Sequence, residues 1–289
     1  MNFEETEYLN QLKDCLENGE TSNDRTETGT IRKTGVTLRF NLEKSFPLLT
    51  TKKMFSKGAI CEILWFLKGQ TDAKILEEQG VKIWSGNSSR QALDKLGFFG
   101  RDIGDIGESY GFNFRYYNSK YINCYTDYSN QGFDQVNYVI NLIKNDNSTR
   151  RAIINLWNPS SIDNCCLPPC CFCYQFLVNN GKLSCVATQR SADSFLGLPF
   201  NFITASLLTH IIAFLTNLKV GELIFNIADF HIYKTHIEQV KEQISREPFS
   251  FPQLIIKDRG QKTVEDFCVG DFSFDNYKCY PSIKAVMSV

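Results

Sequence analysis

Apolar residues recur at helical spacing from the start of the chain: Tyr8, Leu9, Leu12, Cys15 and Leu16 predict an N-terminal amphipathic helix. The polar stretch 23–33 contains Gly29, with Gly35 close behind, and reads as a loop entering a strand over 36–42. Ile60, Cys61, Ile63, Leu64 and Leu67 mark a second helix over about 57–68. Thr71 is placed to cap a third helix, which stops at Gly80. Val136, Val139, Ile140 and Ile143 share one face of a helix over 134–144, and 152–157 is a short apolar strand. The runs 172–178 and 183–189 flank Asn179-Asn180-Gly181, a hairpin signal, because Asn-Gly accepts the positive φ of a tight turn. The most apolar helix spans 201–215, and a strand over 223–228 follows it.

Strands and helices interleave, yet hairpins join several strands. The pattern predicts an α/β chain of the α+β type, a mixed sheet with helices packed on one face and not a doubly wound parallel fold. No repeat, low-complexity stretch or linker divides the chain, so residues 1–289 are expected to form a single domain. A hydrophobic content of 43%, with 23 phenylalanines, is enough for a large core.

Charge narrows the function. With 31 basic and 32 acidic residues the net charge is −1, which excludes a general nucleic-acid binder and leaves any anion site to local arginines. Apolar runs fall short of a bilayer span, and Met1-Asn-Phe-Glu-Glu-Thr-Glu lacks the apolar core of a signal peptide, so a soluble cytoplasmic protein without DNA or membrane partners is expected. Five of the eleven cysteines, Cys165, Cys166, Cys170, Cys171 and Cys173, crowd into nine residues. That spacing lacks the second Cys pair of a structural zinc site, so no metal is expected, and most of these thiols read as small core residues.

Four blocks carry the candidate chemistry: Leu167-Pro-Pro-Cys170, Gln189-Arg190-Ser191-Ala192-Asp193, Gly197-Leu-Pro-Phe-Asn201 and Asp229-Phe-His231-Ile-Tyr233. They place a thiol, a guanidinium, a carboxylate, a carboxamide, an imidazole and a phenol near the ends of regular elements. A nucleophilic thiol needs a depressed pKa, and Arg190 and Ser191 begin where the hairpin's second strand returns toward Cys170. The alternative for Cys170 is a buried cysteine beside a Pro-Pro turn. Asn201 offers a donor and an acceptor to a planar heterocycle, or merely caps the following helix. His231 and Tyr233, two apart on an extended segment, point the same way and suit a sugar hydroxyl. Glu62, inside the apolar run Ala59-Ile-Cys-Glu62-Ile-Leu-Trp65, is costly unless hydrogen-bonded or functional. His210 and His236 lie at helical positions and read as structural.

At these blocks the chain resembles the thymidylate synthase family, from about Glu5 to Val289. The resemblance implies reductive methylation of dUMP to dTMP, with 5,10-methylenetetrahydrofolate as co-substrate giving both carbon and hydride. It implies a homodimer stacked back to back through the second face of the sheet. Cys170 matches the nucleophile that attacks C6 of uracil, Glu62 the glutamate organising proton transfer, and Tyr110 the tyrosine implicated in removing the C5 proton. Arg25 resembles the mobile phosphate loop, and Arg150 with Arg151 the pair that crosses to the other subunit's phosphate; a solvated turn is the plainer reading of that pair. Gln189, Arg190, Ser191, Asp193, Asn201, His231 and Tyr233 fall at dUMP-binding positions, with Arg190, Asp193 and Asn201 also counted in catalysis. Trp84, Asn87, Asp193 and Gly197 match the folate pocket.

The chain departs from the family in three places. Cys171 stands where histidine usually follows the nucleophile, Ser85 replaces an aspartate, and Gly107-Glu108-Ser109 replaces Gly-Pro-Val before Tyr110. Slower turnover, not a different reaction, is expected from Cys171. The nearest rival is a pyrimidine nucleotide hydroxymethylase; asparagine at 201 favours uracil, since the cytidylate enzymes place aspartate there. A Cys-His hydrolase built on Cys170 and His231 leaves the four matched arginines unexplained. A non-catalytic homologue leaves Cys170, Glu62, Tyr110, Arg190 and Asn201 unexplained.

Overall fold

A computed structural model describes residues 2–23 and 28–286. In chain order the helices are α1 (Phe3–Asn18), α2 (Ser56–Leu67), α3 (Lys74–Glu78), α4 (Arg90–Lys95), α5 (Tyr110–Arg115), α6 (Gln135–Asn145), α7 (Gly197–Leu215) and α8 (Ile237–Ile244). The strands are β1 (Glu20–Ser22), β2 (Thr30–Asn41), β3 (Ile153–Asn155), β4 (Cys171–Asn179), β5 (Lys182–Asp193), β6 (Lys219–Tyr233), β7 (Gln253–Ile256) and β8 (Phe272–Asp275).

Six strands form one mixed sheet in the order β1-β2-β6-β5-β4-β3, and β7 and β8 pair separately. Asn180 and Gly181 both take positive φ, 50° and 70°, so the β4–β5 hairpin closes as expected. Among the described strands only β5 and β6 run parallel, and α7 makes the crossover that a parallel pair requires. Alternate residues point inward: Val36, Leu38 and Phe40 from β2, Leu183, Cys185 and Ala187 from β5, and Leu223, Phe225 and Ile227 from β6 are all buried. They pack under α7, where Phe202 meets Phe40 at 4.8 Å and Phe225 at 5.4 Å between ring centroids. Burying each such ring contributes about 1.5–3 kcal/mol, so these rings anchor the core. The residues between them, Thr37, Arg39, Val186, Thr188, Ile224 and Asn226, stay exposed or half-buried on the second face.

Several boundaries differ from expectation for physical reasons. Strand β2 begins at Thr30, not at 36, because its polar first half pairs with the end of β6, Thr30 opposite Tyr233 and Arg32 opposite His231. Helix α7 begins at Gly197, four residues before Asn201, so Asn201 lies within the helix and does not cap it. Pro199 fits there because the first turn has no intrahelical partner for its N–H groups. Asp193 prepares that turn instead, its Oδ1 accepting from the N–H groups of Phe195 and Leu196, each at 3.1 Å. Thr71 does not cap α3; its hydroxyl meets Tyr121 Oη at 3.1 Å. By length and composition α7 matches a membrane span, contrary to the expectation that no run is long enough, but most of it is buried in this core.

Candidate active site

A cavity of about 720 Å³ opens where the ends of β5 and β6 meet the first turns of α7, the side of α2 and the segment before β4. Cys170, Arg190, Ser191, Gln189, Asp193, Asn201, His231, Tyr233, Glu62, Tyr110, Trp84, Asn87 and Gly197 all line it. One cavity thus gathers residues that lie far apart in the sequence.

Around the thiol, β5 places the guanidinium. Arg190 Nη2 lies 3.4 Å from Cys170 Sγ, and its ring neighbour is Trp157, at 5.7 Å. A cation at that distance favours negative charge on sulfur. The neighbouring Cys171 is only 1% exposed, and burial pushes its thiol up to about 12. The two adjacent cysteines therefore differ in exposure and in the charge that stands beside the sulfur.

On the opposite wall, α2 presents Glu62, whose Oε1 accepts from Trp84 Nε1 at 2.8 Å. Burial pushes its carboxyl up to about 7, and the Trp84 hydrogen bond opposes that shift only in part. A carboxyl titrating near neutrality suits proton transfer. Its elevated pKa also fixes a sign. The unfolded chain ionises Glu62 at about 4.5, so this group's contribution to stability is complete below that pH and is lost as pH rises through about 7. Glu62→Gln should flatten the fall in stability across that window, as read from urea midpoints at about pH 4 and about pH 8. An unchanged pH dependence would mean that the carboxyl is not held protonated. Tyr110, at the start of α5, stacks on Phe66 with centroids 4.7 Å apart, and burial holds its phenol well above the usual range.

At the carboxamide end, Gln189 Nε2 donates to Asn201 Oδ1 at 3.2 Å and to the Ser191 carbonyl at 2.9 Å. Gln189 Oε1 is buried without a protein partner, which leaves an acceptor for a ligand. At the far end Ser191 Oγ and His231 Nδ1 stand 3.4 Å apart. Asp229, on the same face of β6 as His231 and Tyr233, lies beside both Ser191 and His231 and lines the cavity, and its Oδ1 is likewise an unsatisfied buried atom. Burial works against its ionisation, but His231 and Arg32 hold its carboxyl below the ordinary value. Asp229 and Arg32 were missed in the sequence, although the two-residue period of 229, 231 and 233 signals the first.

Ile83, Trp84, Leu196 and Phe200 form an apolar wall that fits a flat aromatic group. A Cβ added at Gly197 would meet only Asp193 Cβ, at 3.6 Å, so what the glycine leaves open is cavity space. Burial opposes ionisation of Asp193, yet the His236 imidazole, with Nδ1 3.8 Å away, and the Leu196 N–H keep its carboxyl below the ordinary range. His210 lies outside the lining, bonded to the Ser206 carbonyl at 2.8 Å. No cluster of three or more metal-ligating side chains occurs among the described residues.

Two predicted residues, Arg150 and Arg151, are not brought together with the rest. Arg25 lies outside the described residues, although Ser22, Asn23 and Thr30 on either side of it line the cavity mouth. Arg150 and Arg151 are exposed and absent from the lining. They precede β3 at the sheet edge, where the Arg150 carbonyl accepts from Gln175 Nε2 at 3.1 Å.

Comparison with known proteins bears on what this cavity does. A family model described as thymidylate synthase matches residues 6–289. A Saccharomyces cerevisiae protein named thymidylate synthase is 47% identical over 299 residues, covering 100% of this chain and 98% of the yeast protein. A Homo sapiens protein of the same name is 46% identical over 285 residues, covering 99% and 91%. A Paramecium tetraurelia protein named bifunctional dihydrofolate reductase-thymidylate synthase is 46% identical over 286 residues. The chain spans only 62% of the length of that bifunctional relative, and 58% of a similar one from Oryza sativa.

Proposed function

The chain belongs to the thymidylate synthase family, and from that membership we propose that it methylates dUMP to dTMP with 5,10-methylenetetrahydrofolate as co-substrate. The observation that carries this reading is a thiol 3.4 Å from a guanidinium, sharing one cavity with a carboxamide pair and the buried carboxyl of Glu62.

Cys170 acts as thiolate, stabilised by Arg190, and its sulfur adds to C6 of the uracil ring. The electron pair of the C5–C6 bond moves to C5 and O4, where Asn201 donates from its amide and accepts from N3–H. That addition makes C5 nucleophilic. When bound, the reduced folate supplies the one-carbon unit and then a hydride. Tyr110 and Glu62 take the C5 proton toward water, and the electrons left at C5 expel the folate nitrogen from the transferred carbon, leaving an exocyclic methylene. Once that methylene has received the hydride, the C5 carbanion so formed expels Cys170 as thiolate. His231 and Tyr233 hold the sugar hydroxyl, while Ser191 and Arg190 reach toward the phosphate. Trp84, Asn87, Asp193 and Gly197 frame the folate site, with the apolar wall stacking its ring. No metal enters this scheme.

Arg25 and a partner's Arg150 and Arg151 complete the phosphate site. A homodimer stacked through the second sheet face brings them there. Two features support that arrangement: the half-buried residues on that face, and the place of Arg150 and Arg151 at the sheet edge, away from their own cavity. The reading carries with it a cytoplasmic enzyme whose partners are a nucleotide and a folate, with neither DNA nor a membrane among them; the balanced charge supports this.

Mass identification of the nucleotide formed from dUMP and methylenetetrahydrofolate tests the proposal. A methyl product supports it; a hydroxymethyl product makes the hydroxymethylase reading correct, and unchanged dUMP overturns both. Base choice gives a second check. Asn201→Asp should shrink the preference for dUMP over dCMP by about one to two orders of magnitude, since unpaired buried polar groups cost about 1–3 kcal/mol each. The ratio of kcat/KM for the two nucleotides reads this directly. An unchanged ratio would place base selection elsewhere.

A further inference from the structure

Two prolines remove two backbone donors from the segment Leu167-Pro168-Pro169-Cys170, and the carbonyls of Leu167, Pro168 and Pro169 are met by side chains. The structure supplies a partner for each. Arg190 Nη2 donates to the Pro168 carbonyl at 2.9 Å, Arg190 Nε to Pro169 at 3.1 Å, and the Arg190 N–H to Cys170 at 2.9 Å. Tyr110 Oη accepts the Cys170 N–H at 2.6 Å. The remaining carbonyl, that of Leu167, accepts from Ser109 Oγ at 3.0 Å.

Ser109 is fully buried, at 0% exposure, and stands at the N-cap of α5. A serine there ordinarily turns its oxygen to an N–H of the first turn, but this one makes no such bond. Its hydroxyl is directed at the nucleophile segment instead. The adjacent backbone reinforces the link: Glu108 N donates to the Asn164 carbonyl at 3.1 Å, and Glu108 Oε1 accepts from Asn164 Nδ2 at 2.6 Å. Residues 107–110 therefore run as a strap along 164–170.

We propose that Ser109 is a positioning residue for the nucleophile, its hydroxyl pinning the Leu167 carbonyl so that the rigid Pro-Pro turn holds Cys170 Sγ against Arg190. This rests on the reading of Cys170 as nucleophile, and it gives a role to the residue that replaces the family's usual valine. Removing the hydroxyl frees one end of the turn and lets the sulfur drift from the guanidinium. The thiolate then forms at higher pH.

The test compares Ser109→Thr with Ser109→Val, two side chains of nearly equal size that differ in the hydroxyl, alongside Ser109→Ala. Iodoacetamide alkylation of Cys170, followed by peptide mass without nucleotide or folate, should be about three- to tenfold slower near neutrality in the Val and Ala variants. Its pH midpoint should move upward, and threonine should restore both. In the assay with dUMP, kcat should fall by a similar factor with KM for dUMP within about twofold. Folded Thr and Val variants with the same alkylation profile and the same kcat would overturn the proposal. Because alkylation needs no substrate, failure of the proposed reaction would remain distinguishable from failure of this assignment.

Discussion

Replacing Cys170 with serine should abolish product formation, by on the order of a thousandfold or more, while dUMP still binds. Serine keeps the shape of the site, and Gln189, Ser191, Asn201 and His231 still line the cavity to hold the nucleotide. What is lost is an atom that Arg190 can hold as an anion at 3.4 Å, because a hydroxyl ionises far less readily than a thiol. Cys171 offers no substitute, since it is 1% exposed and its thiol is pushed up to about 12. Trapping with 5-fluoro-dUMP and peptide mass should find the adduct on Cys170. Near-normal turnover of the serine variant, or label on Cys171, would show that the nucleophile is misassigned.

The second large effect is a gain. Arg151→Glu and Cys170→Ser should each be inactive alone, yet recover about a quarter of wild-type activity when mixed and allowed to exchange subunits. Random exchange makes half of the dimers mixed, and each mixed dimer holds one site with both good halves. The geometry motivating this is the separation of Arg151 from the cavity of its own chain, against its place at the edge of the sheet. Activity that stays absent after verified exchange would rule out shared sites.

Legibility in the sequence followed how much each residue was constrained by one kind of chemistry. Cys170, Gln189, Arg190, Ser191, Asp193, Asn201, His231 and Tyr233 were readable because their side-chain chemistry stands out in motif blocks, and the cavity lining gathers them. The Asn-Gly hairpin was readable because positive φ restricts residue choice. The first half of β2 was obscured by its position, since Thr30 and Arg32 face the cavity and their polarity mimics a loop. The start of α7 was obscured by Gly197 and Pro199, which read as breakers although a first helical turn tolerates both. Helix α5, at six residues, is too short for periodicity to declare itself. Asp229 went unassigned because no motif role was attached to it, and only the alternation along β6 exposes it.

Helix α7 serves two masters. Gly197, Phe200, Asn201 and Thr204 form one stripe at helical spacing along the cavity, while Phe202, Ile203, Leu207, Leu208, Ile211 and Ile212 are buried in the core. That division leaves the cavity's shape open to change along one narrow stripe of the helix. The remaining flanks are held still by close packing, where even a methylene is felt. Substitutions that reshape the cavity from this helix would therefore fall at 197, 200, 201 and 204 and leave its core-facing residues untouched.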